Sequence, residues 1–142
     1  MKCAVAFAEF PTLYTEHPDA IGWTRYGGSI LVECKASRSD FFADQKKTAR
    51  RTPPEYQLGR RRFYVTPPGL IQPGELPPRW GLAEVYVSFV RVRVHAVAFD
   101  VYSHHREMSL LVLALQRHEI GRRWFHDQGR FENYMDFEAR TR

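Results

Sequence analysis

Two acids and a lysine stand out in this chain by their type and spacing. Asp19 follows a proline. Glu33, Cys34 and Lys35 come a hairpin's length later, at the end of the apolar run Ile30-Leu31-Val32. Side chains alternate along an extended strand, so Glu33 and Lys35 share one face and Cys34 takes the other. Asp19 joins them only if the intervening turn has the right parity. A three-residue turn, Tyr26-Gly27-Gly28, sets Asp19 opposite Lys35 and on the Glu33 face, whereas a two-residue turn points it away. Two carboxylates beside one ammonium suit a divalent metal held next to a phosphodiester. Asp19, Glu33 and the Cys34 carbonyl offer hard oxygen donors to Mg2+ or Mn2+. Lys35 is placed to orient water or to offset charge on phosphorus. A Glu33–Lys35 ion pair at a strand end is the bland alternative.

The surrounding elements must bring these groups together. Residues 2–10 alternate as a strand, Pro11 to Pro18 read as a loop, and 19–25 and 29–36 read as two hairpin strands. Ser37 caps a helix running to about Arg51, ended by Thr52-Pro53-Pro54. Residues 61–66 form another strand. A proline- and glycine-rich loop to Gly81 follows, then strands over 82–86 and 89–102. Ser103 caps a second helix over roughly 104–123, striped by Met108, Leu111, Leu115 and Ile120. The order predicts an α/β fold, a mixed β-sheet flanked by helices, as one domain over 1–123. The aromatic tail, 124–142, is expected to pack on that domain or on a partner subunit.

Composition narrows the function classes. With 142 residues and 44% hydrophobic content, the chain can bury a core. It holds no apolar run of membrane-spanning length, and a start carrying one lysine before Glu9 argues against a secretory signal. Cys3 and Cys34 are too few for a disulfide framework, Cys34 reads as a small buried thiol, and a cytoplasmic setting is expected. Between Lys35 and Arg62, nine basic residues face three acids, a surplus larger than the +5 of the whole chain. Such a field attracts a polyanion. Arg38, Lys46, Lys47 and Arg50 then suit either contact with DNA phosphates or a solvated basic helix without a partner, and Arg60, Arg61 and Arg62 either phosphate contact or protection of an edge strand. Trp80 suits either base stacking or anchoring of its loop. Neither a P-loop nor a GxSxG elbow is present. His104 and His105, adjacent on a helix, diverge, and His118 and His126 lack cysteine partners at zinc spacing.

The segments HPDAIGW, LVECKASRSDFFADQKK, RRFYVTPPGLI and ELPPRWGLAEVY together resemble the PD-(D/E)xK nuclease superfamily. They look closest to a small bacterial and phage branch near the MmcB-like DNA-repair proteins. The resemblance covers about residues 3–86. It implies a restriction-endonuclease-like fold and gives metal-site roles to Asp19, Glu33 and Lys35. It also implies buttressing or phosphate-contact roles for Ser37, Arg38, Asp40, Phe41, Lys46 and Lys47. The superfamily's usual first helix has no counterpart before the first strand, and Glu9 or Glu16 is the candidate for the extra acid it often supplies. Enzymes of this fold often act as dimers, so a homodimer is a candidate assembly. The implied function is Mg2+-dependent hydrolysis of DNA in repair, recombination or phage–host conflict. The alternative is a catalytically silent nuclease-fold module that binds DNA or blocks a host protein.

Overall fold

A computed structural model describes residues 2–10, 12 and 16–117. Six strands form one mixed sheet in the order of the sequence: β1 (Val5–Ala8), β2 (Ala20–Trp23), β3 (Ser29–Cys34), β4 (Arg61–Thr66), β5 (Gly81–Val85) and β6 (Val90–Val94). Neighbours are antiparallel from β1 to β3, parallel from β3 through β5, and antiparallel again at β6. A parallel step needs a crossover. The β3–β4 crossover carries α1 (Arg38–Gln45) and α2 (Thr48–Arg51). The β4–β5 crossover is the proline-rich loop, with one 3-10 turn at Pro73–Glu75. The last described element is α3 (His104–Arg117). The α/β reading is thus the observed fold, a six-stranded mixed sheet flanked by helices. Contacts divide the chain into two compact units, residues 1–107 and 108–142. The tail expected from 124, and the domain boundary expected at 123, lie outside the described residues.

The β2–β3 turn fixes everything downstream. Strand partners are Trp23↔Ser29, Ile21↔Leu31 and Ala20↔Val32. Beyond them Thr24 N–H donates to Gly28 O at 2.8 Å, so the loop proper is Arg25-Tyr26-Gly27. It has three residues, as parity requires, but sits one residue earlier than Tyr26-Gly27-Gly28. Gly27 takes φ +76° at the third position, where a side chain would be strained. That one-residue shift moves the pairing by two, which leaves the faces unchanged and sets Asp19 level with Glu33 instead of Lys35.

Side-chain alternation on β3 buries Ser29, Leu31 and Glu33 and leaves Cys34 exposed. Cys34 is therefore not the buried thiol its apolar neighbours suggested, because it falls on the outward side at the strand's end. On β4 the buried set is Arg62, Tyr64 and Thr66. Phe41 of α1 meets the Tyr64 ring edge-on at 5.1 Å, and Trp80 stacks on Tyr64 at 4.5 Å. Leu31, Leu58, Ile71 and Leu82 complete this core. Trp80, 5% exposed, anchors its loop and is not presented for base stacking.

Two elements are shorter than the periodicity predicts. Lys47, with ψ 143°, breaks the expected long helix into α1 and α2. β6 ends at Val94, after a bulge that pairs Leu82 with Val94 and Ala83 with Val92. The chain then leaves the sheet, with Val97 N–H donating to Arg79 O and Phe99 N–H to Arg60 O.

Candidate functional site

Lys35 lies just past β3, where the strand hands the chain to α1. Its ammonium is 3.0 Å from Glu33 Oε2, 3.4 Å from Asp44 Oδ1 and 4.0 Å from Asp19 Oδ2. Asp19 Oδ2 also accepts the Cys34 N–H at 2.7 Å, which pins the start of β2 against the end of β3. The three groups picked out by spacing therefore converge at one end of the sheet. They differ in solvation. Glu33 is 1% exposed, whereas the Asp19 side chain is 46% exposed and forms the open side of the cluster.

A second cation stands behind them. Arg50 of α2 reaches Glu33 Oε1 at 2.7 Å, Glu16 Oε1 at 2.9 Å and Asp44 Oδ2 at 2.9 Å. Arg50 is carried by α2, beyond the helix break at Lys47. Glu16 also accepts the Leu58 N–H at 2.7 Å, and Asp44 accepts the Tyr64 hydroxyl at 2.8 Å and pairs with Lys47 at 2.9 Å. The Arg50 guanidinium lies 4.9 Å over the Trp80 ring. Desolvating this many charges is expensive, and only mutual pairing with full hydrogen bonding offsets it.

The protonation states follow. Burial works against the charged Lys35 ammonium, but the charge and hydrogen bond of Glu33 outweigh it, so its pKa lies above the ordinary lysine value. Burial opposes ionisation of Asp44, yet Lys47, Arg50 and Tyr64 together hold its carboxyl below the usual range. Glu16 goes the other way, because burial outweighs the Leu58 N–H and Arg50. Tyr64 is pushed up by burial and by the adjoining Asp44.

Among the described residues, no three histidine, cysteine or carboxylate side chains form a metal-holding group. Mg2+ does not require one, since it is commonly held by one or two carboxylates with water and substrate phosphate completing its shell. Asp19 and Glu33 fit that donor set, with hard oxygens on neighbouring strands and one of the two open to solvent. Glu33 is shared with Lys35 and Arg50, so an ion there competes with both cations.

The remaining expected residues scatter. Glu9 is exposed at the end of β1, with φ +50°, and stands outside the network, whereas Glu16 belongs to it. Arg50, expected on the DNA-facing surface, is spent inside the acid cluster. Arg62 is 2% exposed, donates to Gly59 O and Gln57 Oε1, and lies 4.2 Å from the Phe99 ring centroid. Burial lowers its pKa to about 10. Neither arginine is presented to a phosphate backbone. Arg38 is exposed but clamps Glu75 and Leu70 O, tying α1 to the proline-rich loop. Lys46, Lys47 and Arg60 are exposed, and Arg61 is half-buried.

Asp44 and Tyr64 escaped the reading from spacing. Asp44 sits three residues after Phe41, on the buried stripe of α1. A carboxylate on a helix's apolar stripe, one turn before a Lys-Lys pair, was the available signal. Tyr64 alternates with Arg62 on a strand whose more polar side faces inward.

No protein-family model and no curated protein matches this chain. Among solved structures, it is similar to SPO1766, a protein of unknown function from Silicibacter pomeroyi. The TM-score is 0.60 at 22% identity, covering 92% of this chain and 84% of that one. The likeness establishes the shared α/β fold. Among the described residues, no helix is long and apolar enough to cross a membrane.

Proposed function

We propose that this chain is a metal-dependent deoxyribonuclease with a restriction-endonuclease-like site of the PD-(D/E)xK kind. The supporting observation is the gathering of Asp19 and Glu33 around Lys35 at the carboxyl end of β3. Bound Mg2+ or Mn2+ would polarise the phosphoryl group and lower the pKa of a coordinated water. Asp19 presents its carboxylate to the incoming strand. Glu33 is held in one orientation by Lys35 and Arg50, and metal binding draws it away from one of those cations. The Lys35 ammonium stays protonated at neutral pH and offsets negative charge gathering on phosphorus. Hydrolysis forms a P–O bond from water and breaks the bond to the departing ester oxygen, which leaves with a proton. The exposed Lys46 and Lys47 flank this end and favour a polyanionic substrate. DNA repair, recombination or phage–host conflict is the proposed setting.

One observation favours a second reading. Both Glu33 oxygens are already satisfied by cations, and Arg50 neutralises Glu16 and Asp44 as well. A built-in guanidinium at the carboxylates suits a silent nuclease-fold module that binds DNA or blocks a host protein. Incubating the protein with supercoiled, linear and single-stranded DNA plus Mg2+ or Mn2+, beside Lys35→Ala, separates the two. Cleavage that disappears in the variant supports the enzyme. No cleavage with either metal, together with retained DNA or protein binding, supports the module.

A further inference from the structure

The opposite end of β3 holds a pocket of about 460 Å³ lined by Lys2, Thr24, Arg25, Tyr26, Gly28, Arg60 and Arg61. Topology assembles it. The antiparallel β1 brings Ala4 to Trp23, and with it the neighbouring Lys2. The parallel β3–β4 pair sets Arg61 beside Ile30. The Arg25-Tyr26-Gly27 loop closes the third side. Four of the seven lining residues are cationic and none is acidic. Among the described residues, Lys2, Arg25 and Arg60 have no carboxylate partner. The Tyr26 ring is 88% exposed, although it belongs to a loop held by backbone hydrogen bonds.

We propose that this pocket binds the phosphate of a nucleotide unit, free or at the end of a strand. Lys2, Arg25, Arg60 and Arg61 meet the phosphate, and the Tyr26 ring stacks on the base. The volume lies in the range of small-molecule pockets. Clustered arginines suit a phosphate, because their planar forks bind two of its oxygens at once. An exposed aromatic beside them supplies the sequence-tolerant stacking that unpaired bases use. At ~3.3 Å per residue along β3, the pocket lies about 20 Å from Lys35. It is therefore a separate site and does not depend on hydrolysis at the other end.

The test is calorimetry in EDTA with a nucleoside 5′-monophosphate and with a short single-stranded oligonucleotide bearing either a 5′-phosphate or a 5′-hydroxyl. Wild type is compared with Arg25→Ala/Arg60→Ala, Tyr26→Ala and Lys35→Ala. The phosphorylated ligands should bind about tenfold or more tightly than the hydroxyl form. That advantage should vanish in the double arginine variant and persist in Lys35→Ala. Equal affinity for monophosphate and phosphorylated oligonucleotide assigns the pocket to free nucleotides, and a large gain for the oligonucleotide assigns it to strand ends. All the substituted pocket residues are exposed, so unchanged thermal melts are expected. Equal binding of 5′-phosphate and 5′-hydroxyl strands, or wild-type affinity in the double variant, overturns the proposal.

Discussion

At one end of β3, four carboxylates and three cations are packed so tightly that only Asp19 and Lys47 keep substantial contact with solvent. At the other end, Arg25, Arg60 and Lys2 stand exposed around an open pocket, without an acid among them. The same strand runs between the two, and the difference is one of solvation. Buried charges hold one another and shape a site, while exposed charges are left to attract a ligand. Stability drawn from ion pairing should therefore reside at the acid end, and ligand affinity at the basic end.

The sharpest break of that contrast is Asp44→Ala. It strips Lys35, Lys47, Arg50 and the Tyr64 hydroxyl of a shared partner, and should cost about 3–5 kcal/mol in urea denaturation, as removing one member of a buried ion pair does. A cost under about 1 kcal/mol would mean that the network contributes little to the fold. Gly59→Ala should come next, at about 2–4 kcal/mol on the same assay, since φ is +83° and the new Cβ would stand 2.5 Å from Leu31 Cβ.

Acid titration sharpens the comparison with a sign. The pKa of Asp44 is depressed in the folded state, so its contribution is fully present above the ordinary 3.8 and is lost as pH falls through and below that value. Glu16, and Glu107 of α3, a buried carboxylate that accepts the Ser29 hydroxyl and the Gly59 N–H, are raised by burial and act oppositely, favouring the fold at acid pH and losing that contribution as pH climbs above 4.5 through their raised folded values. Asp44→Asn leaves those two in place. Urea midpoints measured from pH 6 to 2.5 should then fall more steeply for wild type than for the variant. Parallel curves would remove Asp44 from the account of acid stability.

The smallest effect is expected at the surface. Arg25→Ala should change stability by less than about 0.5 kcal/mol. Arg38→Ala, which breaks an exposed pair with Glu75, should cost about 1 kcal/mol or less in thermal unfolding.

What the sequence revealed depended on how local the cause was. The strand over 61–66 and the Ser37 cap, whose hydroxyl accepts the Asp40 N–H at 3.2 Å, are decided by neighbours in the chain and stand as read. The parity of the β2–β3 turn was also legible, because it depends only on side-chain alternation. Its placement was not, since Thr24 and Gly28 close the loop through a pairing that competes with Gly27-Gly28. Arg50 and Arg62 read as surface cations because arginine usually is one. Their burial comes from partners distant in sequence, Glu16 and Glu33 for one and the Phe99 ring for the other. Asp44 was hidden for the same reason, since its value lies in Tyr64 and Lys35, which the fold brings to it.

The most direct measurement is the rate of supercoiled-plasmid cleavage in Mg2+ or Mn2+ by wild type and Asp19→Asn, which preserves an oxygen to accept the Cys34 N–H. Wild type should cleave, and the variant should be slower by at least about 100-fold, in line with losing one preorganised charged group. Equal rates for the two proteins, or intact plasmid with wild type in either metal, would contradict a hydrolytic centre at this end of the sheet.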